Sequence, residues 1–259
     1  MNIIGRQCGL LLMKDENDIL EEYLDKIKLY YDKIYVLDGS DSNEGKEICS
    51  KYQEVVFYAK DSDFIKTVTQ DWIRKYLYDK IKSECKDKIW VGVLHPDEFP
   101  SGNVLELLSK VSEEHPLCET LLIDNIQYFP HVSQQKTWKF EKGDKIEPLL
   151  KWGMLPGHKE IRYFKINEDI RYKEIHGWVV PDRKNYFMID IFWEHFHHKH
   201  FSVRSLEQFK KRCKTRLESK WSIWYESIDT FESIFFESLP VARINDGSRA
   251  QPEPVLIIK

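Results

Sequence analysis

The first 125 residues alternate short apolar segments with longer segments in which apolar residues recur every three or four positions. The short segments are typical of buried strands, and the longer ones are typical of amphipathic helices. The predicted strands cover residues 8–13, 33–38, 55–58, 89–94 and 120–124. The predicted helices cover residues 18–31, 46–51, 65–85 and 104–111. This alternation predicts an α/β fold with a Rossmann-like, mostly parallel central sheet and right-handed crossovers.

The pattern changes after residue 125, where segments rich in aromatic residues, proline and glycine predict short antiparallel strands and long loops. Residues 187–200 are predicted to be extended, and residues 206–218 and 221–238 to be helical. We therefore expect two halves of one domain, residues 1–125 and 126–200, followed by a helical segment over residues 201–259. The second half is predicted to form a smaller mixed region.

Composition excludes several classes of protein. A net charge of −4 over 259 residues argues against a dedicated nucleic-acid binder, which is normally basic. No apolar run approaches the roughly 20 residues that cross a bilayer, and the N-terminus lacks the features of a secretory signal. The five cysteines are far apart and form no CxxC pair, so we expect reduced thiols in a cytoplasmic protein.

Polar residues follow two of the predicted strands, and in parallel sheets ligands collect at the carboxyl ends of the strands. The fourth strand ends in His95, followed by Asp97 and Glu98. An aspartate and an imidazole at this point could hold a divalent cation that bridges phosphates, although a polar turn in which Asp97 caps the next helix is an alternative. The second strand ends in Asp38, which could accept from a ribose hydroxyl or a base, or could begin an ordinary turn.

The C-terminal third carries histidines, basic residues and aromatic residues. Metal ligation is plausible for at least one of the four histidines at positions 195, 197, 198 and 200, and a surface or core role is the alternative. Eight Lys or Arg residues between 199 and 220 indicate either phosphate contact or an exposed helix face. The aromatic stripe over residues 221–235 indicates either a helix packed on the core or peripheral docking on a membrane.

Taken together, these segments resemble a family-2-like glycosyltransferase of the GT-A fold. The resemblance implies transfer of a sugar from a nucleoside-diphosphate sugar, with a UDP-sugar as the first expectation, to a hydroxyl of a glycan or lipid-linked acceptor. It implies an inverting, metal-dependent enzyme of glycan or cell-surface polysaccharide synthesis, cytoplasmic or peripheral to the inner face of the membrane. The segments that carry it, in order, are residues 13–24, 36–42, 70–74, 90–99 and 200–209.

The resemblance also implies roles for individual residues. Asp97 would bind the metal, with His200, His95 and His198 as further ligands. His95 stands where the family has its first acid; this substitution removes a negative charge, and nitrogen ligands favour Mn²⁺ over Mg²⁺. The candidate bases are Asp124, Glu160 and Glu174. The donor-binding residues would be Met13, Asp15, Glu16, Asp38, Arg74, His95 and Arg204.

Two other functions stay open from the sequence. The histidine at position 95 is compatible with a non-catalytic or metal-independent relative that binds sugar nucleotides. A sugar nucleotidyltransferase would need an early glycine-rich loop for its triphosphate, and no glycine occurs between Leu10 and Asn17.

Overall fold

A computed structural model describes residues 7–60, 70–85, 89–150, 152–154, 159–166, 171–173, 177–179, 186–189, 196–210 and 255–256. The helices are α1 (Leu20–Ile27), α2 (Glu44–Cys49), α3 (Gln70–Glu84) and α4 (Val104–Glu114), and residues 206–210 are also helical. The strands are β1 (Gln7–Met13), β2 (Tyr31–Asp38), β3 (Val55–Lys60), β4 (Trp90–Leu94), β5 (Glu98–Pro100), β6 (Thr120–Phe129), β7 (Trp152–Met154), β8 (Lys159–Lys165), β9 (Arg171–Lys173), β10 (Gly177–Val179), β11 (Tyr186–Ile189), β12 (His198–His200) and β13 (Val255–Leu256).

The central sheet has the strand order β13-β7-β6-β8-β4-β1-β2-β3. Strands β4, β1, β2 and β3 are parallel to one another, and β8 lies antiparallel between β4 and β6. β11 and β12 add parallel pairs with β6. The predicted fold class, a Rossmann-like and mostly parallel α/β sheet flanked by helices, is confirmed.

The burial pattern explains why these residues form a layered sheet. All five residues of β4 are buried, as expected for a central strand. On β1, Leu11 and Met13 pack with α1, α2 and α4, whereas Cys8 and Leu10 pack with α3 on the opposite face. This alternation follows from the two-residue period of a strand and gives the sheet one apolar core on each face.

A close approach across the sheet requires glycine at one position of β4. A Cβ atom at Gly92 would lie 2.4 Å from the hydroxyl oxygen of Tyr31, whose ring is fully buried. The large ring of Tyr31 therefore fills the space that a side chain at position 92 would occupy.

Several predicted boundaries differ from the observed ones. The predicted helix over residues 18–31 ends at Ile27, because Tyr31 already begins β2. The predicted strand over residues 120–124 extends to Phe129, because β7 and β12 pair with its second half. The rest of the predicted helix over 206–218, and the aromatic stripe over 221–235, lie outside the described residues. Within the described part of the chain, no helix combines the length and the apolar character needed to cross a membrane.

The prediction that all five cysteines are reduced is wrong for two of them, because Cys8 and Cys85 form a disulfide. Cys85 directly follows α3 and faces the same apolar layer as Cys8 of β1, a proximity that a separation of 77 residues does not reveal. Cys49 and Cys118 are buried thiols outside this disulfide. Burial, together with the charge of Asp38, raises the pKa of the Cys49 thiol to about 12, so this thiol is unreactive. Cys213 lies outside the described residues.

Candidate functional site

The candidate site forms where β5, β6 and β12 meet, beyond the carboxyl end of β4. β12 pairs antiparallel with β5 and parallel with β6, so that His200 lies opposite both Glu98 and Gln127. The backbone N–H of Phe201 donates to the carbonyl of Asp97 at 2.7 Å and extends this pairing by one residue. The register of three short strand segments thus brings His200 to Asp97, 103 residues earlier in the chain.

The side chains of Asp97, Glu98 and His200 form a compact cluster. One ligand atom from each residue lies within 4.8 Å of the other two. Both carboxylates are buried, and His200 Nε2 lies 3.0 Å from Asp97 Oδ2. Two carboxylate oxygens and one imidazole nitrogen are a donor set that divalent cations accept.

The two oxygens of Glu98 have different surroundings. Oε1 accepts from Arg162 Nη2 at 2.6 Å and from Asn125 Nδ2 at 3.3 Å. Oε2 is buried and has no hydrogen-bond partner. Buried polar atoms are nearly always paired, because an unpaired one loses its hydration without compensation. A cation beside Oε2 would supply the missing partner, so these three residues fit a divalent cation.

Gln127 and Ser202 orient the imidazole of His200. The hydroxyl of Ser202 donates to Gln127 Oε1 at 3.0 Å, which turns the amide nitrogen of Gln127 toward His200 Nδ1. In this arrangement Nδ1 accepts from the amide, and Nε2 carries the hydrogen that faces Asp97. Ligation through Nε2 would move this proton to Nδ1, where the Gln127 carbonyl could accept it after an amide flip.

Neither of the other two predicted histidine ligands belongs to this cluster. His198 lies two residues from His200 on β12, and its ring nitrogens are not among the ligand atoms that lie within 4.8 Å of one another in this cluster. Its Nε2 lies 3.2 Å from the hydroxyl of Tyr163, and burial, followed by the charge of Arg162, lowers its pKa well below 6.5. His95 is partly exposed, and loss of hydration is the main cause of its lowered pKa. Both rings are therefore neutral near pH 7.

A second polar region surrounds Asp38, at the carboxyl end of β2. We call residues 38–45 the Asp38 loop. The Asp38 carboxylate is fully buried; its Oδ1 accepts from Ser40 N at 2.8 Å and its Oδ2 accepts from the Tyr58 hydroxyl. Lys60, also buried, donates to the carbonyls of Ser40 and Ser42. Every one of these bonds fixes the shape of the loop.

The segment that follows β1, residues 14–19, packs against the Asp38 loop. We call it the β1–α1 loop. Asp15 N donates to Ser40 Oγ at 2.7 Å, and Asp15 has a φ of 57°, a left-handed conformation that aspartate tolerates better than most residues. A Cβ atom at Gly45 would lie 2.6 Å from Met13 Cε and 3.0 Å from Asp38 Oδ2. The structure thus places Met13, Asp15 and Asp38, all predicted donor contacts, next to one another.

Arg204 is completely buried and is bound to protein groups. Its Nε and Nη2 donate to the two carboxylate oxygens of Asp18 at 2.9 and 3.0 Å, and its Nη1 donates to the carbonyl of Phe201 at 2.6 Å. Burial would lower the pKa of Arg204, but Asp18 first, and then Asp97 and Glu16, raise it. Sequence reasoning missed Asp18, since nothing in its neighbourhood reveals a partner 186 residues away.

The candidate bases differ in accessibility. The side chain of Glu160 is 42% exposed and pairs with Arg162, the residue that also holds Glu98. Asp124 is buried on β6, opposite Lys159 of β8. Glu174 and the side chain of Arg74 lie outside what the structure describes.

A cavity of about 540 Å³ lies between α1, α2 and residues 142–145, and Asn17 and Asp18 of the β1–α1 loop also line it. Six carboxylates and three lysines line it, so its net negative charge is unfavourable for a diphosphate. The lining residues are Asn17, Asp18, Glu21, Glu22, Asp25, Glu44, Glu47, Ile48, Lys51, Lys142, Gly143 and Lys145.

Comparison with known proteins adds little to this geometry. No protein-family model and no curated protein matches the chain. A solved structure of 4-diphosphocytidyl-2C-methyl-D-erythritol synthase matches with a TM-score of 0.37 and 9% sequence identity, covering 62% of this chain and 76% of the other. A similarity of this size carries no functional argument, so the interpretation of the site depends on its own residues.

Proposed function

We propose that this protein is a divalent-metal-dependent glycosyltransferase that takes its sugar from a nucleoside-diphosphate sugar, with a UDP-sugar as the first candidate. The observation that carries the proposal is the cluster of Asp97, Glu98 and His200, in which a buried carboxylate oxygen lacks a partner. The cluster lies at the carboxyl edge of a parallel sheet, where ligands of α/β proteins bind, and the Asp38 loop lies at the same edge.

Asp97, Glu98 and His200 would hold the cation, and the imidazole nitrogen favours Mn²⁺ over Mg²⁺. When bound, the cation would stabilise the negative charge that grows on the departing diphosphate, by several kcal/mol. His95 and His198 add no positive charge beside the cation, because both rings are neutral near pH 7.

The nucleoside would bind along the Asp38 loop. Each oxygen of a carboxylate can accept two hydrogen bonds, so Asp38 can still accept from a ribose hydroxyl or a base N–H. Met13, Asp15 and Glu16 would line the base on the β1–α1 loop. Arg74, on α3, is the expected contact for the diphosphate.

Glu160 is the first candidate for the base, because it is the exposed carboxylate that Arg162 links to Glu98. The acceptor hydroxyl would form a bond to the anomeric carbon while the bond from that carbon to the diphosphate oxygen breaks, and Glu160 would take the hydroxyl proton. Attack from the face opposite the leaving group inverts the anomeric centre. Asp124 and Glu174 are the other candidates for this role.

The acceptor would be a glycan or a lipid-linked glycan, with a role in glycan or polysaccharide synthesis. Residues 1–125 would hold the donor, residues 126–200 would face the acceptor, and residues 201–259 would form the helical segment. We propose a cytoplasmic location with peripheral contact to the membrane, made by the aromatic stripe over residues 221–235. A lack of binding to anionic vesicles would remove the membrane contact from the proposal.

Thermal unfolding with nucleoside diphosphates and Mn²⁺ tests the proposal. A ligand that binds only the folded protein adds about 2.7 kcal/mol at one hundred times its Kd, so UDP with Mn²⁺ should raise the Tm by several degrees. The proposal fails if no nucleoside diphosphate shifts the Tm at millimolar concentration with either Mn²⁺ or Mg²⁺.

A panel of donors and acceptors then separates the three functions left open by the sequence. Release of a nucleoside diphosphate from a nucleotide sugar supports the glycosyltransferase. Release of pyrophosphate from a nucleoside triphosphate and a sugar phosphate would identify a nucleotidyltransferase instead. Binding without turnover across the panel would identify a non-catalytic relative.

A further inference from the structure

We propose that Asp18 and Arg204 form a positioning pair that holds the β1–α1 loop in register with the cation site. This inference rests on the proposed function, since it assigns the two regions to the nucleotide and to the cation. It changes the role expected for Arg204, from a direct contact of the donor diphosphate to a residue that acts through the loop.

A short chain of hydrogen bonds joins the two regions. Asp97 accepts from Phe201 N at 2.7 Å, and the carbonyl of Phe201 accepts from Arg204 Nη1 at 2.6 Å. The other side of the guanidinium binds both oxygens of Asp18. Three hydrogen-bonded steps therefore connect the backbone of the proposed cation ligand Asp97 to the loop that would line the nucleotide.

The other side of the β1–α1 loop is attached to the Asp38 loop. Asp15 N binds Ser40 Oγ, and Asn17 Nδ2 donates to Ser42 Oγ at 3.1 Å. The loop is therefore held between the Asp38 loop and the segment that carries His200. A nucleoside diphosphate that spans both regions requires them to lie at a fixed separation, and Arg204 sets that separation from the side of the cation site.

The chemistry of the pair requires arginine. The planar guanidinium binds a carboxylate through two parallel hydrogen bonds, whereas lysine offers a point charge on a flexible chain. Arg204 has no exposed surface and Asp18 is 21% exposed, so water does not replace a bond that is lost on the arginine side. A change of geometry at either residue should therefore move the loop while the charges are retained.

The test uses Arg204→Lys and Asp18→Glu, which keep both charges and alter the geometry of the pair. Binding of Mn²⁺ alone is measured by electron paramagnetic resonance of the free ion, and binding of UDP at saturating Mn²⁺ is measured by calorimetry. We expect unchanged Mn²⁺ affinity and UDP affinity weaker by about tenfold, within the usual range of coupling between two sites. In turnover assays, the KM for the donor should rise more than kcat falls.

The matched control is Glu147→Gln. Glu147 is also partly buried, and it binds Lys199, the neighbour of His200, but its charge partners, Lys26 and Lys199, lie outside the β1–α1 loop. If a buried ion pair matters only for general stability, Glu147→Gln and Arg204→Lys should weaken UDP binding alike. The positioning role requires that only the pair variants do so.

The outcomes separate this inference from the proposed function. If the unchanged protein binds no UDP with Mn²⁺, the proposed function itself fails. If it binds UDP and the pair variants bind equally well, the positioning role is overturned. Should Arg204→Lys not fold, Asp18→Glu and Asp18→Asn provide the same comparison.

The double variant Asp18→Glu/Arg204→Lys completes a cycle. Its loss of UDP affinity should be no larger than that of the weaker-binding single variant, because each change disrupts the same contact. If the losses of UDP-binding free energy in the two single variants add in the double variant, the two residues act independently and the proposed positioning pair is wrong.

Discussion

The carboxylates of Asp38 and Glu98 are both buried at the same edge of the sheet, but they differ in how completely their oxygens are hydrogen-bonded. Both oxygens of Asp38 receive hydrogen bonds, from Ser40 and Tyr58. Only one oxygen of Glu98 does so, from Arg162 and Asn125. The bonds to Asp38 hold the loop that we propose binds the nucleoside, whereas the unpaired oxygen of Glu98 is the atom that we propose binds the cation.

The unpaired arrangement is costly without a ligand. Asp97 and Glu98 bring two carboxylates into one buried cluster, and like charges at short range repel each other strongly away from water. The positive charge of Arg162, which pairs with Glu98, offsets part of this repulsion. Clusters that reduce stability in this way are typical of functional sites, because the ligand relieves the cost when it binds.

The largest expected effect comes from Asp97→Asn, which tests the unpaired region. The change keeps the shape of the side chain and removes one negative charge from the cluster. We expect sugar transfer to fall at least about 100-fold, because a bound cation is worth several kcal/mol and each 1.4 kcal/mol is a factor of ten. The Mn²⁺-dependent rise of the Tm with UDP should disappear.

The control for this change is Glu113→Gln, which removes one negative charge from an exposed position on α4. It should leave both transfer and the Tm shift as they are. Retention of transfer and of Mn²⁺-dependent binding in Asp97→Asn would remove the cation from the cluster. The unpaired oxygen of Glu98 would then have no role in cation binding.

The sequence predicted the fold class, and it singled out Asp97 as a candidate metal ligand, for a local reason. Strand and helix periodicity, and polar residues soon after an apolar strand, such as Asp97 three residues after the end of β4, are visible within a few residues. The sequence does not predict a role for Glu98 in the cluster, because the orientation of its side chain depends on Arg162 of β8 and Asn125 of β6.

Contacts between distant segments could not be predicted in the same way. The choice of His200 over His198 depends on the register of β12 between β5 and β6. Tertiary packing determines two further pairs whose members are far apart in the sequence. These are the ion pair of Arg204 with Asp18 and the disulfide between Cys8 and Cys85. A single sequence carries no local signal for such pairs.

The second effect, on stability, comes from Tyr58→Phe and tests the fully paired region. The change removes the hydroxyl that donates to Asp38 Oδ2 and leaves a buried carboxylate oxygen short of a partner. We expect the free energy of unfolding, measured with urea, to fall by about 1–3 kcal/mol. Mn²⁺ binding should not change. A loss of Mn²⁺ affinity as large as that in Asp97→Asn, with normal stability, would reverse the assignment of the two regions.

The smallest expected effect concerns Glu147, a paired carboxylate that contacts the same strand as the proposed ligand His200. Burial would raise the pKa of Glu147, but hydrogen bonds from Lys199 and Lys26 hold it at about 2, against an ordinary value of 4.5. A lowered pKa in the folded protein adds stability above pH 4.5, and this contribution disappears as the pH falls toward 2. Because solvent screens part of the interaction, we expect Glu147→Gln to lower the free energy of unfolding by about 1 kcal/mol at pH 7.

Urea unfolding of Glu147→Gln and of the unchanged protein, from pH 7 to pH 3, checks the sign. The difference between the two should be constant above about pH 5 and should shrink steadily below it. A difference that persists undiminished at pH 3 would show that packing, and not the charge of Glu147, supports β12. Mn²⁺ binding at pH 7 should be the same in both proteins. Adjacent residues of a strand point to opposite faces, so Lys199, which binds Glu147, lies on the face of β12 opposite His200. Equal binding is the result expected if Glu147 supports the strand without contributing to the cation site.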